Sequence, residues 1–452
     1  MNWTIKKLAE ACNGEIYAGD ENIIINSFSI DTRTINDGDI YIGIKGESFD
    51  GNLFYLDAFE KGAKGVILNK SIKNKMNNNI TKPIILVDDT IKALADLATA
   101  WLEEKKIPIV AVTGSVGKTS VKDMLHTIML KKYNTYKPVK NFNNHIGLPF
   151  SILGITNHQA VVLEMGMNHL GEISYLSNIA KPDIAVITTV LPVHIEYLGS
   201  IENILKAKLE ITEGLKPDGV LIINNDNEYL RNAKIDFPDI FRCAVDYECD
   251  LKAEVIETNK LIVKYQNKEI EFYHDNYTKG FIQNLLLSIA VGIKLGIPID
   301  DINDAIKEFE LSEGRLQNIY LKNNILLVND AYNASAYSMK NSIDYLNKQE
   351  CKRKIAIFGN MREVGKYSKA LHSEVGHYIN QDNLDYLITV GNDAKYIHDN
   401  ASIKNKSHFN NKEELYPFLD KFIKPNDGIV AKAANGEKFI EIIDYFMKNM
   451  LQ

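Results

Sequence analysis

An apolar run, Ile107 to Val112, ends in Thr113-Gly114-Ser115-Val116-Gly117-Lys118-Thr119-Ser120, and a helical pattern starts near Val121. Few folds accommodate such a junction. A glycine-rich turn between a buried strand and a helix points backbone N–H groups and the positive helix end at one spot, which stabilises a phosphate. In that arrangement Thr113, Gly114, Ser115, Gly117 and Ser120 form the cradle, Lys118 reaches the terminal phosphates, and the Thr119 hydroxyl can ligate Mg²⁺. Val112 stands where the commonest phosphate loop has its first glycine, so an ordinary strand-to-helix turn is the alternative. Strand and helix on either side favour nucleotide binding.

The same alternation surrounds this point. Ala160 to Leu163, Ile184 to Thr189 and Val220 to Ile223 read as buried strands, each followed by a helical stretch, as in a mostly parallel, helix-covered sheet. Residues 241 to 275 are more strand-like, and Phe281 to Leu295 is an apolar helix stopped by Gly296 and Pro298. Upstream, Ile23-Ile24-Ile25, Ile40 to Ile44, Gly65 to Leu68 and Pro83 to Val87 are short β runs around a helix near Leu53 to Lys61, with a polar excursion from Lys70 to Lys82. Downstream, Ile325 to Val328, Lys354 to Phe358, Tyr386 to Val390 and Ile429 to Ala431 alternate with helices in the doubly wound manner. A chain of 452 residues exceeds one core and suits three domains. The expectation is an α/β protein with a small N-terminal α/β domain over 1–85, a central ATPase-like parallel-sheet domain over 86–312 and a Rossmann-like C-terminal domain over 313–452.

Composition excludes several classes. With 45% hydrophobic and 25% charged residues the chain is ordinary globular material. No apolar window is long enough to span a bilayer and the N-terminus carries no signal-type core, so a soluble, cytoplasmic protein is expected. Cys12, Cys243, Cys249 and Cys351 are scattered, without disulfide-framework or zinc spacing. A net charge of −7 speaks against nucleic-acid binding.

Further candidates sit where ligands bind in open α/β sheets, at the carboxyl ends of strands. Glu164 ends the run Val161-Val162-Leu163 beside the phosphate loop, and a carboxylate there suits a hard cation; alone it would equally be a surface residue. His194 follows the next strand, where a lone histidine is more often structural. The helix beginning near Ser200 carries Lys206, Lys208 and Glu210, whose spacing alone reads as a solvated face. Asn284 interrupts an apolar helical stripe and could be a core asparagine bonded to backbone; Arg315 after Gly314 could be a turn residue.

The combination resembles the Mur ligase family, whose phosphate loop reads TGxxGKT as residues 113 to 119 do. The stretch Asn141-Phe142-Asn143-Asn144-His145-Ile146-Gly147-Leu148-Pro149 resembles the NxNNxxGxP loop of its D-alanyl-D-alanine-adding branch. Asp330-Ala331-Tyr332-Asn333-Ala334-Ser335 resembles D-x-YNANP, and Gly359 to Gly365 with Leu371 to Gly376 resembles GDMxELG…LHxxxG. The resemblance implies an ATP-dependent, ADP-forming ligase that joins D-alanyl-D-alanine to UDP-N-acetylmuramoyl-tripeptide through an acyl phosphate. It implies two Mg²⁺ ions, one on Thr119 and Glu164, the other on Glu164 and His194, with Lys208 carbamylated by CO₂ into an anionic ligand. Lys118, Lys208 and His194 are then the catalytic residues; Lys206 and Glu210 keep the solvated reading. Asn284 takes the adenine, and Arg315 and Asp330 reach ATP from the last domain. Ser29, Arg33, Lys45 and Gly46 serve the UDP-sugar in an N-terminal region resembling the family's, Asn143 and Asn144 the peptide, and Asn333 the amine. His372 is conceivable as a base but stays outside the catalytic set.

Three departures fall in the last domain: Ser335-Ala336 for Asn-Pro, Asn360 for Asp, and Lys432-Ala433-Ala434-Asn435 for Lys-Gly/Ala-Ser-Arg. They leave D-alanyl-D-lactate or D-alanyl-D-serine open as acceptors. Folylpolyglutamate synthesis is a second enzymatic reading, disfavoured by the N-terminal module. A monomer is expected, with the last domain closing on ATP and an unliganded form standing open.

Overall fold

The computed structural model describes residues 2–450 except 47, 77–79, 140, 258–259 and 275–277. Glu47 of the N-terminal motif, part of the polar excursion and parts of the 241–275 stretch therefore lie outside the described residues.

Among the described residues three sheets carry the fold. The first has five strands in the order Glu15–Ala18, Ile84–Val87, Gly65–Asn69, Asp39–Ile42, Ser27–Ser29, parallel apart from Glu15–Ala18. The run Ile23-Ile24-Ile25, expected as a strand, is not one. Its backbone is taken by the N-terminal segment, where Ile5 N donates to Ile23 O and Ile25 N to Trp3 O.

The central sheet has nine strands and explains the placement of the phosphate loop. The strand Ile109–Thr113, buried throughout, lies between Ala160–Glu164 and Ile184–Ile187, parallel to both. The chain then builds outward on both sides, to Thr135–Tyr136 at one edge and through Val220–Asn224 and Ile240–Ala244 toward the other. Strand order therefore reverses at the phosphate-loop strand, the position where such sheets open a ligand crevice. Beyond Leu251–Glu257 the sheet continues as an antiparallel meander, Lys260–Tyr265 and Lys268–Tyr273. The expected apolar helix is Lys279–Lys294; Thr278 caps it by accepting from Phe281 N, and it ends before Gly296, at φ +65.

The last sheet has six strands, Gln317–Leu321, Ile325–Asn329, Asp427–Lys432, Arg353–Phe358, Tyr386–Val390 and Lys406–Phe409, all parallel except the first. One ion pair ties its middle. Asp427, 1% exposed, accepts from Arg353 Nε at 2.8 Å and Nη2 at 2.6 Å, and from Lys424 N at 2.8 Å. Removing one partner of a buried pair leaves an uncompensated charge. Asp427→Ala is expected to cost about 3 kcal/mol and to lower the melting temperature in a thermal-unfolding scan; an unchanged melt would mean the guanidinium is satisfied by solvent.

The cores divide unevenly. One continuous apolar cluster runs from Trp3 and Leu8 through Ile85, Leu97 and Trp101 to Ile152, Leu163, Ile187 and Ile223, joining the first sheet to one face of the central sheet. The helix Thr90–Lys105 is the shared element, and Trp3 meets Trp101 edge to face at 5.3 Å. The last sheet packs on clusters of its own.

Candidate active site

The phosphate loop is set by two glycines. Gly114 has φ +149 and a Cβ there would stand 1.9 Å from Thr188 Oγ1; Gly117, at φ +94, would place one 2.5 Å from Asn284 Oδ1. The loop is stapled to the next strand end, with Ser115 N donating to Thr189 O at 2.8 Å and Thr188 Oγ1 to Val116 O at 2.5 Å. The buried Thr113 hydroxyl donates to Met165 O and that of Ser115 to Leu191 O, so both brace the loop rather than project from it. Lys118 Nζ donates to Gly114 O at 2.9 Å and opens the helix Lys118–Leu130. Burial lowers its pKa, opposed by Glu164 and Glu363 and reinforced by Arg315.

Glu164 gathers the next group. Thr119 Oγ1 donates to its Oε2 at 2.8 Å, and Asn143 Nδ2 to its Oε1 at 2.9 Å. Lys122 Nζ stands 3.9 Å from Oε2. A carboxylate and a hydroxyl at this separation suit Mg²⁺, which takes few protein oxygens and completes its octahedron with phosphate and water. Consistent with so sparse a donor set, no cluster of three or more His, Cys, Asp or Glu that could hold a metal occurs among the described residues.

Lys208, on the helix Ile201–Leu209, is 2% exposed and has no carboxylate partner among the described residues. Burial, and then the charge of Lys118, push its pKa well below the ordinary lysine value. Glu210, read from sequence as solvated, is instead buried: its carboxylate accepts from Gly171 N and Ser174 N and anchors the start of the helix Glu172–Ala180. Lys206 is exposed as expected. His194, at φ +60, lines the site, and its Nδ1 lies 2.5 Å from Glu363 Oε2 of the last domain, with the distance but not the alignment of a hydrogen bond. The histidine holds Glu363 below the usual carboxylate range.

A cavity of about 440 Å³ brings both sides together. Ser115, Gly117, Lys118, Thr119, Asn143, Asn144, Glu164 and His194 line it from the central domain, and Arg315, Asn333 and Lys432 from the last. A smaller cavity of about 90 Å³ adjoins it, lined by Ser120, Thr189, Asn284, Arg315 and Asp330. Arg315 lies on Tyr332 at 4.3 Å. Asp330 pairs with Lys432 at 2.7 Å and accepts from Ser342 Oγ at 2.6 Å; burial lowers Lys432's pKa against that pairing. The central and last domains are apposed by polar contacts, with Tyr337 OH donating to Gln283 Oε1 and Tyr367 OH to Gly199 O.

Ser29, Arg33, Lys45 and Gly46 lie outside both cavities, on the first sheet and its loops. Arg33 makes a bidentate pair with Asp31, and Ser29 Oγ donates to Asp31 O. Asn144, besides lining the cavity, accepts from Ile146 N and Gly147 N at the start of the helix Gly147–Leu153. His372 is buried, accepting from Met361 N at Nε2 and contacting Ser368 O through Nδ1, which leaves it no access to a substrate amine. The departures also find local work. Ser335 caps the helix Ala336–Asn347, Asn360 Oδ1 accepts from Asp393 N and Ala394 N, and Asn435 Nδ2 donates to Tyr332 O. Sequence reasoning placed Lys432 and Glu363 within motifs but gave neither a role; a lysine ending the buried strand Asp427–Lys432 was the available signal for the first.

A phosphate cradle at the switch point of a parallel sheet, completed by cationic side chains from a following domain, defines a nucleotide-dependent enzyme of the P-loop ligase class. Family models agree in chain order: the Mur ligase family catalytic domain matches residues 24–101, the Mur ligase middle domain 112–292, and the Mur ligase glutamate ligase domain 314–435. The chain belongs to the Mur ligase family. It is 35% identical to the UDP-N-acetylmuramoyl-tripeptide--D-alanyl-D-alanine ligase of Bacillus subtilis, covering 99% of each chain. The corresponding Escherichia coli ligase is 29% identical, covering 99% of this chain and 98% of that one. Among solved structures, MurF from Acinetobacter baumannii superposes with a TM-score of 0.89 at 26% identity, covering 99% of each chain. MurF from Thermotoga maritima in complex with ADP gives 0.81 at 26%, covering 94% and 97%. Escherichia coli FolC shares the fold alone, at 13% identity and a TM-score of 0.58 over 79% of this chain.

Proposed function

We propose that this chain joins D-alanyl-D-alanine to UDP-N-acetylmuramoyl-tripeptide at the expense of ATP, as an early step of peptidoglycan assembly. The single observation that carries this is the cavity of about 440 Å³ lined jointly by the phosphate loop, Glu164 and His194 and by Arg315, Asn333 and Lys432, in a chain similar over its whole length to ligases of that name. Residues 1–85 hold the UDP-sugar through Ser29, Arg33, Lys45 and Gly46; residues 86–312 hold ATP; residues 313–452 present the dipeptide and complete the ATP site.

In this reading a carboxylate oxygen of the tripeptide attacks the γ-phosphorus, the bond to the β-phosphate oxygen breaks, and ADP leaves an acyl phosphate. The dipeptide nitrogen then attacks the acyl carbon, and inorganic phosphate departs from the tetrahedral intermediate with loss of an amine proton. Lys118 and Arg315 face the charge that develops on the transferred phosphoryl group. Asn284 stands beside Gly117 for the adenine, and Asn333 lies on the last-domain wall where the amine must enter. Mg²⁺, when bound, neutralises phosphate charge; Thr119 and Glu164 hold one ion, and Glu164, His194 and a CO₂-derived carbamate on Lys208 the other. Burial and the charge of Lys118 favour the uncharged amine of Lys208, the form that adds CO₂.

Ser335, Asn360 and Asn435 brace the local fold, which removes the reason to infer a changed acceptor. No helix among the described residues is long and apolar enough to cross a membrane; the reading is of a monomer working in the cytoplasm. The test is phosphate release from ATP with UDP-N-acetylmuramoyl-tripeptide. Turnover requiring D-alanyl-D-alanine is expected, and faster turnover with D-alanyl-D-lactate, D-alanyl-D-serine or a folate would overturn the acceptor assignment.

A further inference from the structure

The strand-end loop that carries His194 is covered by a short segment of the last domain. Glu196 N donates to Glu363 O at 3.3 Å, and Tyr367 OH donates to Gly199 O at 3.0 Å. Gly365 lies so close that a Cβ on it would stand 3.1 Å from Glu196 Cγ. Residues 363–367 thus sit on residues 194–199 as a clasp. At its centre His194 Nδ1 and Glu363 Oε2 approach to 2.5 Å, short of hydrogen-bond alignment, and both residues have φ +60, a left-handed conformation unusual for residues with side chains. Such backbone is strained and persists where the surroundings demand it. Two such residues meeting across one domain junction indicate that the aim of these side chains is what is being held.

We infer that Glu363 is a positioning residue for the phosphoryl-transfer centre: delivered by closure of the last domain, its carboxylate fixes the His194 imidazole through Nδ1 and leaves Nε2 as the nitrogen for the cation. Glu363 itself does not line the phosphate-loop cavity, whereas His194 does, so it acts through the histidine. A metal-binding histidine ordinarily gives its second ring nitrogen to a carboxylate, which sets ring orientation and raises ligand basicity. Here the carboxylate belongs to a different domain from the ring. Cation affinity is thereby coupled to closure, and the centre reaches full affinity only once the last domain has seated over the substrates. The inference rests on His194 being a cation ligand, as proposed above, and makes no use of the acceptor's identity.

The test is Mn²⁺ titration of the full chain by electron paramagnetic resonance with a non-hydrolysable ATP analogue present, alongside the Mg²⁺ dependence of phosphate release. Glu363→Gln is expected to weaken Mn²⁺ binding by about 10–100-fold and to raise the KM for Mg²⁺, with kcat largely recovered at saturating Mg²⁺. Tyr367→Phe, which removes one clasp contact but no carboxylate, is expected to keep parental Mn²⁺ affinity. If His194→Ala weakens Mn²⁺ binding while Glu363→Gln does not, the inference is overturned and the assignment of His194 stands. If His194→Ala leaves affinity unchanged, both are overturned. Loss of turnover in Glu363→Gln that saturating Mg²⁺ does not recover would mark the residue as merely structural and overturn the inference as well.

Discussion

Replacing Lys118 with methionine is expected to lower phosphate release by about 10³-fold while leaving the melting temperature unchanged or slightly raised. The Lys118 ammonium is the cation at the head of the phosphate-loop helix, held by Gly114 O. Its pKa is lowered by burial, so the folded chain stabilises nothing by keeping it charged. Methionine approximates the stem and removes the charge that the transferred phosphoryl group needs, together with the hydrogen bond to Gly114 O. Activity and stability should therefore part company. Turnover within about tenfold of the parent would mean that Arg315 or Lys432 supplies the charge instead.

Lys208→Met should reduce turnover by about a hundredfold or more, and the parent enzyme should lose activity in CO₂-depleted buffer and regain it with bicarbonate. Bicarbonate should do nothing for the variant. A second arm follows from burial. Desolvation and Lys118 hold the Lys208 pKa well below the ordinary lysine value, so between the lowered folded value and the ordinary one the unfolded chain binds a proton that the folded chain does not. Stability contributed by this position therefore rises with pH. In CO₂-free buffer the advantage of Lys208→Met over the parent in melting temperature should be largest near about pH 6 and shrink toward about pH 9. A constant difference across that range would show that Lys208 stays charged in the fold, and a charged amine cannot add CO₂.

How much of this was legible in the sequence depended on whether the signal was local. The phosphate loop was readable because strand, glycines and helix are contiguous, and Glu164 because it ends the neighbouring strand. Lys208 was not readable from spacing. Its helix shows alternating charge, and only the tertiary fold reveals that Lys208 and Glu210 are buried while Lys206 is exposed. The family resemblance singled out Lys208 but left Glu210 as a solvated charge. Ile23-Ile24-Ile25 has the composition of a strand, yet its hydrogen bonds go to residues 3 and 5, a pairing no periodicity encodes. The His194 and Glu363 contact joins positions far apart in sequence, and neither residue type is unusual in its own stretch.

The uneven division of the cores has a mechanical consequence. Trp3, Trp101 and the helix Thr90–Lys105 weld the first and central sheets through one apolar cluster, and apolar seams of that kind do not open on the timescale of turnover. The junction with the last domain is made mainly of separate polar contacts, such as Tyr337 with Gln283 and Tyr367 with Gly199, with the Tyr367 ring alone touching the cores on both sides among the described residues. A three-domain chain of this build has one hinge rather than two. In the proposed reaction, the half assigned to the sugar nucleotide and ATP is the anvil, and the travel belongs to the part assigned to the amine.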